Sequence, residues 1–243
     1  MARLVGKIAL VTGGTRGIGA GIVRAFLAEG ATVAFSGTSR QSIGKLGFEG
    51  AAGFVSDLGE VEAPAQLVHA VIERFGGLDV LVNNAGVGSR ASEWELTPQE
   101  WDRVHAVNLR AVFFLSREAA LSMRERGGGS IVNVSSIAGQ NGGIAGSPAY
   151  GSSKGAVITL TRSLARRFAP HRIRVNCLSP ADIETDMTAD WPRELRERMI
   201  AMTPLARFGE VDEVTGAALY LASDESTYVT GQTLSINGGA YMS

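Results

Sequence analysis

The chain has 243 residues, 45% hydrophobic and 19% charged, which fits one globular domain large enough to bury a substantial core. Lysine and arginine number 23 against 24 acids, a formal charge of −1, so the bulk charge offers no affinity for nucleic acid or an anionic membrane surface. No apolar run approaches the roughly 20 residues of a membrane helix, and the opening "MARLVGKIALVTGG" lacks the long apolar region of a signal peptide, so a cytoplasmic location is expected.

In chain order, "KIALVT" (7–12) predicts a buried strand and Ile18 to Glu29 a helix ended by Gly30. "TVAFS" (32–36) and "GFVS" (53–56) predict two more strands, with at most a short helix between them. Val61 to Phe75 has apolar residues four apart, at Leu67, Val71 and Phe75, which predicts a helix. Next come a strand at "LDVLVNN" (78–84), one long helix or a pair from Pro98 to Arg126, and a strand at "SIVNVSS" (130–136). A helix is expected from about Ala149 to Phe168, then a strand at "IRVNCLS" (173–179) and an irregular, partly helical stretch over 181–208. A helix over 210–222 and the strand "TLSIN" (233–237) complete the chain. Alternation of near-continuously apolar strands with helices implies a parallel sheet covered on both faces. Seven strands in residues 1–243 imply one α/β domain with a doubly wound, Rossmann-like sheet. Cys177 is the only cysteine, so no internal disulfide is possible, and it reads as a buried small hydrophobe. His69, His105 and His171 have no metal-ligand spacing, and no metal is expected.

The first strand runs into "TGGTRGIG" (12–19), which opens a helix, with Gly13, Gly17 and Gly19 spaced G-x-x-x-G-x-G. Glycines there permit the tight turn, the approach of a pyrophosphate to the backbone, and close helix–strand packing. The helix N-terminus supplies free N–H groups and positive potential for phosphates. No Walker-type Lys-Ser/Thr follows, which argues against an ATP or GTP loop. An NAD site normally places an acid at the end of the second strand. Here "FSGTSR" (35–40) has none; it offers hydroxyls at Ser36, Thr38 and Ser39 and a guanidinium at Arg40, and the glycine turn adds a second guanidinium at Arg16. That set suits a 2′-phosphate, so NADP(H) is expected over NAD(H), unless both arginines are only solvated.

Six motifs now stand in order: "TGGTRGIG", "NNAG" (83–86), "VN" (107–108), "NVSS" (133–136), "YGSSK" (150–154) and "NGG" (237–239). Together they resemble the short-chain dehydrogenase/reductase family over nearly the whole chain, and within it the 3-oxoacyl-acyl-carrier-protein reductases. The residues themselves agree. Tyr150 and Lys154 are four apart on a predicted helix and so share a face, with Ser147 and Pro148 suited to its start. A free phenol ionises at about pH 10, so a neighbouring ammonium and the positive nicotinamide ring are both expected to favour the phenolate. The resemblance implies that Tyr150 protonates a carbonyl oxygen held by Ser136, and that Lys154 binds the nicotinamide ribose and tunes Tyr150. It implies too that Asn108 holds a water relaying protons to Lys154; local backbone bonding is the other reading of that asparagine. Further implied cofactor contacts are Thr15, Ile18, Leu58, Asn84, Ala85, Gly86, Pro180, Ile183 and Thr185, and Asp57 at the adenine unless it only caps a strand end. Candidate substrate-lining residues are Gln140, Asp182, Trp191 and Met199. A homotetramer acting on a small-molecule or carrier-bound carbonyl is the assembly and partner the family implies.

The chain departs from the family pattern after the sixth strand, where "SPADIETDM" (179–187) has Ala181 and Asp182 in place of a glycine and an apolar residue. Asp182 is expected to make the pocket mouth polar. Leu195, Met199 and Met202 share a helical face, either core packing or the underside of a substrate lid within 181–208. The loop 137–148 is one residue longer than in the reductases it resembles. Arg124, Arg126, Arg166, Arg167 and Arg172 are candidates to dock an acidic carrier, or are simply solvated. The leading expectation is NADPH-dependent reduction of a carbonyl, best a 3-oxoacyl thioester. A dehydrogenase of a small secondary alcohol, sugar or cyclic ketone is the rival, and a non-catalytic dinucleotide sensor would require loss of a residue among Asn108, Ser136, Tyr150 and Lys154.

Overall fold

In the computed structural model, which describes residues 2–45, 47–89, 91–144 and 146–242, seven parallel strands form one sheet in the order β3-β2-β1-β4-β5-β6-β7. The strands are β1 (Ile8–Val11), β2 (Thr32–Gly37), β3 (Ala51–Val55), β4 (Val80–Asn83), β5 (Gly129–Val134), β6 (Ile173–Pro180) and β7 (Thr233–Ile236). Each agrees with an expected strand to within a few residues. The long helices are α1 (Gly17–Ala28), α3 (Ala63–Phe75), α5 (Ala111–Glu125), α7 (Pro148–Phe168) and α10 (Val211–Ala222). Between them lie α2 (Arg40–Gly44), α4 (Pro98–His105), α6 (Ala138–Asn141), α8 (Asp186–Ala189) and α9 (Arg193–Ala201).

Strand alternation sends successive side chains to opposite faces, and the two faces build two cores. Ala9, Val11, Val33, Val82 and Val132 pack beneath α1 and α10, against Ile22, Phe26, Val214 and Leu221. Leu10, Ala34, Leu81, Ile131 and Val175 point the other way, against Leu67, Leu115, Met123 and Leu164 of α3, α5 and α7. At about 25 cal/mol per Å² of apolar surface, this double burial is the main stabilising term. Cys177 lies buried in a smaller cluster with Val112, Val157 and Ile158.

Chain order reverses beside β1: β2 and β3 extend to one side, and the chain returns to place β4 on the other. This switch leaves a crevice at the carboxyl ends of the strands, the place where such sheets bind ligands. One turn departs from expectation. The helical segment from Pro98 to Glu125 is interrupted by a π-helical turn at Ala106–Arg110, which contains Asn108. No helix among the described residues is long and apolar enough to cross a membrane.

Candidate active site

The crevice begins at the turn after β1. Gly13 has φ +63°, and a Cβ there would lie 2.9 Å from the Ala85 Cα; at Gly19 a Cβ would lie 2.2 Å from the Gly13 carbonyl oxygen. Only hydrogen fits at either position. The neighbouring motif locks this turn. Thr12 Oγ1 accepts from the N–H groups of Asn84 (3.1 Å) and Ala85 (3.0 Å), and Asn84 Nδ2 donates to the carbonyls of Thr12 (2.9 Å) and Gly13 (3.1 Å). Ser36 Oγ, buried at the end of β2, accepts from Gly13 N at 3.3 Å. The result is a groove of about 730 Å³ lined by Gly13, Thr15, Arg16, Gly17, Ile18 and Gly19 at the start of α1, and by Asn84, Ala85 and Gly86 opposite. Its glycine floor and helix N-terminus fit a dinucleotide pyrophosphate. A further buried hydroxyl in its wall, Ser56 Oγ, has no hydrogen-bond partner among the described residues.

At the β2 end the groove is walled by Ser36, Thr38, Ser39, Gln41, Ser42 and Lys45. Arg40, the first residue of α2, is exposed and is not among them. The cation on this wall besides Arg16 is Lys45 at the end of α2, too far beyond the strand in sequence to be expected there. Ser39 is the N-cap of α2, its Oγ accepting from Ser42 N at 3.1 Å. Asp57 lines the groove and also caps its own turn, Oδ1 accepting from Gly59 N at 2.9 Å. Leu58 lies beside it.

The far end of the groove is formed by Ser136, Tyr150 and Lys154 together with Pro180, Ala181, Ile183 and Thr185. α7 starts at an N-cap, Ser147, followed by Pro148, which sets the helix phase so that Tyr150 and Lys154 face the end of β5. Lys154 is buried, its Nζ donating to the Val134 carbonyl at 2.8 Å and lying 5.8 Å from the Tyr150 ring centre. The two serines after β5 divide their work. Ser135 Oγ donates to the Lys154 carbonyl at 2.7 Å and is spent, whereas Ser136 Oγ, which accepts from Ala138 N at 3.1 Å, faces Tyr150.

The electrostatics correct one expectation. Burial raises the Tyr150 phenol above its ordinary pKa, and although the Ser136 hydroxyl pulls it down, the Asp182 carboxylate pushes it further up. Lys154 does not offset this. Its own pKa falls to about 8 because burial disfavours the ammonium. Burial and the Asp182 charge thus oppose ionisation of the phenol, and the positive ring of an oxidised nicotinamide would act against both.

Asn108 is fully buried in the π turn. Its Nδ2 donates to the Val87 carbonyl (3.0 Å) and to Ser153 Oγ (3.1 Å), and its Oδ1 accepts from Val87 N at 2.8 Å. Both amide donors are taken, so a water held by this side chain has one lone pair of Oδ1 to use. The bonding is to another loop and another helix, not to the local backbone.

The expected substrate-lining residues stand outside the dinucleotide groove. Gln140 is engaged behind it: Ser179 Oγ donates to its Oε1 at 2.6 Å, and its Nε2 donates to Ser235 Oγ at 3.2 Å. Trp191 packs edge-on against Phe208, and Met199 is buried under α9. Asp182 stands near enough to Tyr150 for its charge to oppose ionisation there. Ala181 carries no backbone strain, since Arg172 and Ala206 are the non-glycine residues at positive φ among those described. Met187 and Asp186, which the sequence reading did not single out, do line the groove. The five arginines considered for carrier docking lie near the starts of β5 and β6, at the end of the sheet opposite the site, and Arg126 is paired with Asp79 at 2.8 Å. Ala145, in the lengthened loop, lies outside the described residues.

This fold with this site defines a dinucleotide-dependent oxidoreductase, and the chain belongs to the short-chain dehydrogenase/reductase family. Residues 13–241 match the family model described as enoyl-(acyl carrier protein) reductase. The chain is 40% identical to the 3-oxoacyl-[acyl-carrier-protein] reductase FabG of Thermotoga maritima, over 98% of each chain. It is 39% identical to a 3alpha-hydroxysteroid dehydrogenase of Mediterraneibacter gnavus, again over 98% of each. A crystal structure from Sinorhizobium meliloti 1021, provisionally assigned as a short-chain alcohol dehydrogenase, superposes with a TM-score of 0.90 at 36% identity, covering 98% of this chain and 97% of that one. The family implies an NAD(P)(H) cofactor.

Proposed function

We propose that the protein is an NADPH-dependent carbonyl reductase whose substrate is a 3-oxoacyl thioester. The observation that carries this reading is the convergence of Ser136, Tyr150 and Lys154 at the end of the glycine-floored groove. Gly13, Gly17 and Gly19 with the start of α1 would hold the pyrophosphate, and Lys154 the nicotinamide ribose. When bound, the cofactor supplies a hydride to the carbonyl carbon. Ser136 donates a hydrogen bond to the carbonyl oxygen as charge develops there. Tyr150, kept protonated by burial, gives that oxygen its proton. The raised phenol pKa suits a proton donor in the reducing direction. Asn108 acts at one remove, fixing Val87 against Ser153 and so holding the loop beside Lys154.

The preference for NADPH is supported by the β2 wall: Arg16, Thr38, Ser39, Ser42 and Lys45 offer cations and hydroxyls, and no carboxylate of β2 or α2 stands among them. Lys45 is exposed, and an exposed pair contributes up to about 1 kcal/mol. Lys45→Glu is therefore expected to raise the Michaelis constant for NADPH about fivefold relative to NADH; an unchanged ratio removes Lys45 from the phosphate site.

The FabG relatives support the thioester substrate, and the hydroxysteroid dehydrogenase relative supports the alternative of a bulkier secondary alcohol or cyclic ketone. The segment 181–208 would serve as substrate lid, with Arg196 joining α9 to α8 through Glu184 and the Thr188 carbonyl. The arginines at the far end of the sheet would present a carrier to this site only across a subunit boundary. Carrier docking by them thus requires the expected homotetramer, which light scattering tests. NADPH oxidation against acetoacetyl thioesters, cyclic ketones, steroids and sugars decides the substrate class.

A further inference from the structure

We infer that Asp182 is a specificity-determining residue, and that the site favours ketones carrying a hydrogen-bond donor or a positive charge beside the carbonyl while discriminating against anionic ones. This rests on reading Tyr150 and Ser136 as the carbonyl-binding pair.

The segment after β6 is held on both sides. Ala181 N donates to the Ile236 carbonyl at 3.0 Å, Gly209 N donates to the Asp182 carbonyl at 2.9 Å, and Ile183 forms a parallel bridge with Gly209. Ala181 and Ile183 line the dinucleotide groove, and Asp182, at a bend between them, does not. Its carboxylate stands near enough to the Tyr150 phenol for its charge to oppose ionisation there. Its chain neighbours Ala181 and Ile183 line the same end of the groove as Tyr150, so a carbonyl compound bound at Tyr150 would meet the Asp182 charge.

The carboxylate is also unsatisfied by its own protein. Among the described residues no Lys, Arg or His pairs with it, and no N–H or hydroxyl donates to its side-chain oxygens. Half-burial raises its pKa for want of such a partner. A carboxylate drawn out of water without a donor is costly, and a ligand that brings a donor recovers that cost. A ligand carboxylate in the same place meets like charge instead.

The test is a matched series on the acetyl group: aminoacetone, hydroxyacetone, butanone and pyruvate. Each is measured as a substrate and as a competitive inhibitor of acetoacetyl-thioester reduction, so that slow turnover does not conceal binding. For the wild type, aminoacetone and hydroxyacetone are expected to exceed butanone by about tenfold or more, with pyruvate weakest. Asp182→Ala levels the four. Asp182→Asn, which keeps the shape and so serves if the alanine variant misfolds, abolishes the discrimination between aminoacetone and pyruvate while retaining part of the preference for hydroxyacetone. The same ranking in the wild type and both variants overturns the inference, as does a wild type without preference. Those results leave thioester reduction standing. A wild type that reduces no carbonyl compound at all sinks the reductase reading itself, and this inference with it.

Discussion

At the scale of single residues, the site is a balance between burial and charge. Lys154 donates one hydrogen bond to Val134 and has no carboxylate partner among the described residues, yet it sits inside the protein. Below its folded pKa of about 8 the chain bears the full cost of a buried ammonium. Between that value and the unfolded lysine value of about 10.4, the unfolded chain binds more protons, so stability rises with pH. Lys154→Met, which removes the charge and keeps the stem, is therefore expected to melt at or above the wild-type temperature at pH 7, with the gap narrowing at higher pH. Activity should be lost. Thermal denaturation at the two pH values checks this, and a large loss of stability at pH 7 would show that the Val134 bond outweighs the desolvation. Stability given up at a working site is a common trade.

Element by element, two places depend on atoms that leave no room for change. A methyl at Gly19 would meet backbone, the Gly13 carbonyl, which cannot move aside as a flexible side chain can. Gly19→Ala should cost about 1–3 kcal/mol in stability, in the range of overpacked cores, and abolish NADPH binding measured by fluorescence. Ordinary binding by this variant would mean the turn does not hold the cofactor. Asn108 is the second place. Asn108→Ala strands the Val87 N–H and carbonyl, and each buried group left unpaired costs about 1–3 kcal/mol. A clearly lowered melting temperature is expected, together with reduced turnover, because the loop beside Lys154 loses its anchor.

Most elements are legible from the sequence because apolar runs and glycine stops are local properties. The strand from Ile8 and the helix from Pro148 need no partner to be recognised. The π turn at Asn108 is invisible there, since it is held by Val87 and Ser153, far away in the chain. Lys45 reaches the groove wall only through the turn of α2, which its distance from β2 in sequence conceals, and nearness to β2 does not by itself place Arg40, exposed at the start of α2, on that wall. The Tyr150–Lys154 pair is legible as geometry, four residues apart on one helix. The sign of the phenol's shift is not, because burial and the Asp182 charge come from other parts of the fold.

The whole molecule brings these parts together through its strand order. The glycine turn follows β1, the asparagine lock follows β4, Ser136 follows β5 and Asp182 follows β6, and all of these strands run the same way. Their carboxyl ends therefore meet along one edge, with α7 delivering Tyr150 and Lys154 to it from the face. Cofactor binding and proton transfer thus draw on different elements and should separate experimentally. The most direct measurement follows NADPH binding by fluorescence and thioester reduction by NADPH oxidation, side by side, in the wild type and Tyr150→Phe. Loss of the proton donor should lower turnover about 10²–10⁴-fold with the NADPH dissociation constant nearly unchanged. A Tyr150→Phe enzyme that reduces the carbonyl within about tenfold of the wild-type rate would contradict the assignment of Tyr150 as the acid.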